Sequence, residues 1–333
     1  MANYMLTRRT VITAKKETVE GTDSAPTPTT DAILAVNPTV EMRGNPVNRP
    51  IVTQTFSKLG QVIGTRSGQI SFGTEYRGID AIPSAASPLA ENPLFLACGM
   101  SPTYAASSAI YKPLTDFGAT VNSVTIWAYL DGLLHAFNGC RGSFSFDATV
   151  GAIPTYQWTF QGTFTAINLS PTGTDGVRDV TFPASVTYQA YSVQPPMALG
   201  ATLTAYGYSA VARQITFDMK NDVQGRESLA APNGLVSYYI NGRDPGGTLD
   251  PEAVTRGTSD FWYRWVSAAK GAISFSLGQP VASGDGKVQF DAPAVQLGAM
   301  TYADRNGIRN FNMPYSCAGN TTAGDDEVTI TYS

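Results

Sequence analysis

Five segments of the chain repeat one cue. QISFGTEYRG at 69–78, SFSFD at 143–147, QITFD at 214–218, AISFSL at 272–277 and KVQFD at 287–291 each place two large apolar residues two positions apart, with small polar ones between. In the first, Ile70, Phe72, Thr74 and Tyr76 fall on one side of an extended backbone. Ser71, Gly73, Glu75 and Arg77 fall on the other, which is the period-two signature of a half-buried strand. Such a chain folds as β-sheet with one oily face and one small, polar face. The 32 Gly and 21 Pro supply the turns that many short strands need.

A length of 333 residues holds two domains of ordinary size, each with its own core. Charged residues make up 14% of the chain, against about 25% in average soluble proteins. Low charge suits a surface that meets copies of itself, because charges are depleted at interface centres. The formal net charge of -4, with no lysine or arginine run, argues against tight nucleic-acid binding, which needs a basic footprint. No stretch approaches the ~18 apolar residues of a membrane span. The Arg8–Arg9 pair is not read as a twin-arginine signal, since Lys15, Lys16 and Glu17 stand where an apolar core belongs. Cys98, Cys140 and Cys317, odd in number and far apart, read as reduced, packed thiols of a cytoplasmically made protein.

Along the chain, residues 1–30 read as an extended arm containing the Pro/Thr-rich GTDSAPTPTT. DAILAVNPTVEM follows as a strand broken by Pro38, and 43–68 as a long Gly/Asn/Pro-rich loop with a β-prone run from Ile51 to Phe56. In ENPLFLACG, Asn92 suits an N-cap, Pro93 the first helical position and Gly99 the stop. Strands are predicted in VNSVTIWAYL, HAFNGCRGSFSFDA, IPTYQWTFQGTFTA and GVRDVTFPASVTYQAYS, with Pro195–Pro196 as a hinge. Past it, TLTAYGYSA, RQITFDMKNDV and LVSYYINGRD read as strands. Asp250 and Pro251 suit the start of a helix over 250–266, divided at Gly257. The remaining strands are GAISFSLGQ, KVQFDAPAVQLGAM, IRNFNMPYS and DDEVTITYS, with Asp285-Gly286 as a hairpin signal. Strand, helix and four further strands thus follow in the same order in each half. The fold class is mainly β, with two tandem sandwich or barrel domains, 31–192 and 193–333, each flanked by one helix.

Chemistry is hard to place. The single histidine, His135, has no cysteine or carboxylate at ligand or triad spacing, and reads as structural. No nucleophile elbow, zinc motif, phosphate loop or dinucleotide fingerprint occurs. GRDPGGTLD at 242–250 lacks the Lys-Ser/Thr of a phosphate cradle, and Asp325, Asp326 and Glu327 do not match a calcium loop. Aromatics at Phe72, Phe144, Phe146, Trp158, Phe160, Phe217, Phe275 and Phe290 occupy alternating, core-like positions rather than a sugar platform. No catalytic, cofactor-binding or metal site is assigned, and the chain is not read as an enzyme.

GQISFGTEYRG, NPLFLACGM, SVTIWAYLDGLLHAFNGCRGSFSFDATVGAIPTYQWTFQGTFTA and FDMKNDVQGRESLAAPNGLVSYYINGRDPGGTLDPEA together resemble the major tail tube proteins of long-tailed, siphovirus-type bacteriophages, over most of residues 30–317. The resemblance implies a β-sandwich flanked by a helix, six of which close a ring whose inner strands join into one barrel. With two such domains per chain, three copies would make a pseudo-sixfold ring that stacks helically. It further implies a virion tail assembled in the host cytoplasm, and a tape-measure protein, a tail terminator and tail-tip proteins as partners. DNA would pass the lumen without specific binding. Under this reading Asn45, Asn48, Arg49, Phe56, Lys58 and Arg66 are candidates for ring stacking, and Glu75 and Arg77 for the lumen or a subunit seam. Another β-rich virion protein, such as a capsid decoration or tail-tip protein, shares this composition. A carbohydrate-binding module would instead need exposed aromatics.

Overall fold

Alternation decides the core. All eight aromatics that the period-two pattern turns inward, Phe72 through Phe290, are inaccessible to solvent in the computed structural model, which describes residues 4–52, 54–79, 81–115, 122–164, 176–188, 200–279 and 286–333. The first half contains β1 (Thr10–Lys16), β2 (Ala32–Ile33), β3 (Val36–Val47), β4 (Val62–Glu75), α1 (Asn92–Ala97), β5 (Met100–Ala105), β6 (Ser108–Pro113), β7 (Val124–Leu130), β8 (Leu133–Thr149), β9 (Thr155–Thr163) and β10 (Val177–Asp179). The second contains β11 (Thr202–Ala205), β12 (Tyr208–Ser209), β13 (Ala212–Asp218), β14 (Asn221–Glu227), β15 (Leu235–Arg243), β16 (Gly246–Pro251), α2 (Phe261–Val266), β17 (Gly271–Gln279), β18 (Gly286–Leu297), β19 (Thr301–Arg305), β20 (Ile308–Cys317) and β21 (Thr329–Tyr332). The protein is mainly β.

The ladders run in parallel order in the two halves. On one side of the core, β1 pairs with β7, β7 with β8 and β8 with β10, while β11 pairs with β17, β17 with β18 and β18 with β21. On the other side, one antiparallel sheet runs β3-β4-β9-β8-β13-β16-β20-β19. The joint between the halves is the β8–β13 ladder, where Phe146 faces Phe217 and Asp147 faces Thr216. Phe290 from the opposite side closes over that joint, with ring centroids 5.0 Å from Phe146 and 4.8 Å from Phe217. One continuous set of buried residues therefore reaches from Ile12 to Tyr332.

β8 serves both sides of the core, its first residues pairing with β7 and its last with β13. The crossing lies at Gly139, whose φ of +60° favours glycine and where an added Cβ would stand a tight 3.2 Å from Ser237. The carboxylate of Glu17 pins the bend. It is buried, and it accepts from the backbone N–H of Gly139 (2.7 Å) and Gly21 (2.7 Å) and from the hydroxyls of Ser123 (2.5 Å) and Thr125 (2.9 Å).

The structure departs from the sequence reading in several places. Residues 1–30 are not an unpacked arm throughout, because Val11 to Ala14 are buried in β1. Both faces of that strand are covered, so its TVITA run needs no polar side. The 43–68 segment is not one loop: Arg43–Val47 and Val62–Gly68 continue the β3–β4 ladder outward, and only 48–61 connects them, with no strand among the described residues of 51–56. Pro38 does not end β3, since a register shift between Val36 and Thr39 absorbs it as a bulge. Helix α1 ends at Gly99 (φ +73°) as expected, but Glu91 holds the N-cap position and Asn92 instead accepts from the Tyr111 hydroxyl at 3.1 Å.

The second helix is shorter than 250–266. Asp260, not Asp250, caps it by accepting from the Tyr263 N–H at 2.9 Å. Asp250 ends up in β16, where its carboxylate takes the N–H groups of Arg213 (2.9 Å) and Gln214 (2.7 Å) at a register shift in β13 and pairs with Arg305 (2.8 Å). Of 177–192, only 177–179 is strand within the described residues. Pro195–Pro196 and Asp285 lie outside the described residues.

Candidate functional site

The outward face of the eight-strand sheet is one surface, built by register. Gly73, Gln157, Ser145, Asp218, Gly246 and Ser316 stand in a row across β4, β9, β8, β13, β16 and β20. Glu75, Thr155, Asp147, Thr216, Thr248 and Pro314 form the next row. These side chains are short or hydrogen-bonded to one another: Ser71 to Thr159 (3.3 Å), Thr216 to Thr248 (2.8 Å) and Gln214 to Asp147 (2.6 Å). The wall is smooth, hydrophilic and weakly acidic. Arg77 sits 3.1 Å from Glu75, and Arg305 neutralises Asp250, while Asp147 and Asp218 have neutral donors.

The two ends of this sheet are unpaired. Among the described residues, β3 has a ladder only with β4, and β19 only with β20. Open edges of this kind invite pairing with another chain.

Of the predicted site residues, the structure gathers Asn45, Asn48, Arg49, Phe56 and Lys58 on the projecting end of the β3–β4 hairpin, where all are exposed. Phe56 is fully exposed, and Asn48 accepts from the Gln61 side chain at 3.1 Å. Arg66 is engaged within the chain, its N–H donating to Asn233 O (3.0 Å) and its guanidinium to Pro232 O (3.2 Å). Glu75 and Arg77 lie at the opposite end of β4, with Glu75 on the polar face. Asp147 and Asp218 were missed as members of that face. The signal was present, because SFSFD and QITFD each close on an aspartate one step beyond the inward aromatic.

Sites of another kind do not assemble. His135 is buried near the Phe137 ring (6.4 Å between centroids), and burial holds its imidazole below the ordinary range. Arg243 spans Asp325 and Glu327 (3.1 Å to the latter), while Asp326 takes the N–H groups of Asn320 (2.8 Å) and Thr321 (2.9 Å), so the acidic cluster is an internal clamp. No group of three metal-ligating side chains occurs among the described residues, and no helix of the described residues is long and apolar enough to cross a membrane.

All three cysteines are free and buried, and burial pushes the Cys98 and Cys140 thiols well up and Cys317 to about 12. A thiol with a raised pKa stays protonated at pH ~8, below its folded value, so no thiolate is available to attack. Native protein at that pH should therefore leave a chromogenic disulfide reagent unreacted, and urea should release all 3 thiols. Fast reaction of the native protein would contradict this.

Comparison with the curated proteins finds no match. The family described as phage tail tube protein has a model that matches residues 7–333.

Proposed function

The chain belongs to the phage tail tube protein family, and from that premise we propose that three copies close into one ring and that rings stack into the tube of the virion tail, the conduit for the genome. The observation that carries this reading is the β8–β13 joint, an edge-to-edge ladder between the two halves. In the parallel order of ladders, β19 stands in the second half where the end of β8 stands in the first, and β3 stands where β13 does. The same joint made between β19 of one copy and β3 of the next repeats until the ring closes, and closure removes every open edge. Three copies of eight strands give a barrel of 24. Residues 31–192 and 193–333 act in it as two tail-tube-like domains.

The polar face lines the lumen. Short hydroxyl and amide side chains offer DNA no hydrophobic hold, and Asp147 and Asp218, whose donors are neutral, add like-charge repulsion. The 48–61 connection, with Phe56 at its exposed end, reaches the next ring. It is longer than its counterpart at 228–234, so the two domains contribute unequally to stacking. A tape-measure protein sets tube length, and terminator and tip proteins close its ends.

Negative-stain electron microscopy of concentrated protein tests this, with two variants. Asn306 (φ +54°) and Gly307 (φ +86°) make a two-residue hairpin turn, so Arg305, Ala303 and Thr301 direct their N–H groups to β20. Tyr302 and Asp304 direct theirs to the open side. Asp304→Pro removes one outward donor and spares the β20 ladder. Tubes are expected from the native chain, protomers alone from Asp304→Pro, and no tubes when 49–60 is replaced by a short turn. Discrete particles or monomers from the native chain overturn the tube reading. Normal tubes from Asp304→Pro overturn the seam, and normal tubes from the shortened hairpin overturn its part in stacking.

A further inference from the structure

Two hairpins project from the eight-strand sheet, and the chain covers the outer part of only one of them. The β14–β15 hairpin lies across the first half of its own chain. Asn221 donates from its amide to Cys98 O at the end of α1 (2.7 Å) and to Gly142 O on β8 (2.9 Å). Asn233 O accepts from Arg66 N–H at 3.0 Å, and the Asn233 amide reaches Phe164 O. Ser237 and Tyr238 are buried in this contact, and Ile240 reaches Gly99 just past α1. The hairpin springs from β13, the strand that pairs with β8, and so runs over the half whose edge it joins.

The outer part of the β3–β4 hairpin springs in the same way from β3 and meets its own chain at its base, where Arg66 bonds to Pro232 and Asn233, but beyond that point Arg43–Val47 and Val62–Gly64 are exposed. Val47, Val62 and Ile63 are each about half exposed. At the other end of the sheet, α2 is uncovered too. Tyr263, Trp265 and Val266 are exposed, whereas Leu94, Phe95, Leu96 and Ala97 of α1 are all buried. Each uncovered surface corresponds to one that is covered within the chain.

We propose that the outer β3–β4 hairpin of one copy lies across the second half of the neighbouring copy in the same ring, over the α2 end, as β14–β15 lies over the α1 end within the chain. The occupant of the α2 surface is thus a second copy of this protein. The inference rests on the tube reading and adds a clasp outside the barrel seam. It also divides the first hairpin by function: the paired base grips sideways within the ring, and the longer 48–61 end is left for the ring above. Apolar burial on both sides supplies the drive.

The test is cross-linking in assembled tubes. Val266→Cys is combined in turn with a cysteine at each of positions 62 to 66, and tubes are treated with a short bifunctional maleimide. The native thiols are buried and do not compete. At least one pair is expected to give a covalent ladder that ends at three copies, while the single-cysteine variants give none. A ladder running on to high polymer places the hairpin between rings and overturns the clasp. Tubes that form normally without any cross-link overturn it as well. Absence of tubes from the native chain sinks the tube reading instead, which is a separate and visible failure.

Discussion

Trp158→Ala is expected to cost about 3–5 kcal/mol of folding stability, the range for truncating a large buried aromatic. Trp158 is fully buried on β9, with ring centroids 5.0 Å from Phe95, 5.3 Å from Phe144 and 5.4 Å from Tyr156. Phe95 meets it edge-on from α1, so the indole is what the first helix packs against. The neighbours belong to separate strands and a helix, and they cannot all close into the space left behind. Its Nε1–H also donates to Thr74 Oγ1 at 2.9 Å, and losing that bond adds about 1 kcal/mol. Against a total stability of about 5–15 kcal/mol, the change takes a large share. Trp158→Phe keeps most of the volume and loses the hydrogen bond, for a cost of about 1–2 kcal/mol. Urea unfolding followed by circular dichroism checks both. A loss below about 1 kcal/mol for the alanine variant would show that the site collapses freely, contrary to this account.

Glu17→Ala is the second large effect. The carboxylate is the shared acceptor for two backbone N–H groups and two hydroxyls; the bonds from Gly139, Ser123 and Thr125 are buried and that from Gly21 is partly so. An orphaned buried donor costs about 1–3 kcal/mol, and the hydroxyls can turn elsewhere while the N–H groups of Gly21 and Gly139 cannot. The expected loss is about 3 kcal/mol or more. Glu17→Gln keeps one acceptor oxygen but turns its amide toward one of the two N–H groups, so about half that loss is expected. Hydrogen exchange should quicken first at Gly21 and Gly139. Equal stability of the glutamine and alanine variants would mean that the carboxylate does not hold the bend in β8.

Nothing local marks Glu17 as buried, because it follows Lys15 and Lys16 and reads as part of a solvated run. Its burial comes from two distant segments, Ser123 and Thr125 at the start of β7 and the Gly139 corner, meeting the nearby turn at Gly21. Asp250 was legible as a cap, since an aspartate before proline suits a helix start. The structure uses the same capping chemistry on β13, because a register shift there exposes two N–H groups that an acceptor must satisfy. The cap of α2 instead fell to Asp260, ten residues on. The stacking candidates were legible as a polar, glycine-rich stretch. Whether that stretch was loop or hairpin was not, since Asn, Gly and Pro suit either a turn or a bulged edge strand.

By itself the sequence determined the fold class and the inner face. A side chain's sidedness on a strand depends only on the parity of its position, so Phe72, Phe144, Phe146 and Trp158 were assigned to the core without knowing any partner. Parity does not say which strand lies alongside or in what register, because those are settled by contacts between residues far apart in the chain. Only the tertiary structure brought Glu75 into line with Thr155, Asp147 and Thr216, joined β8 to β13, and left β3 and β19, among the described residues, as edges paired on one side alone.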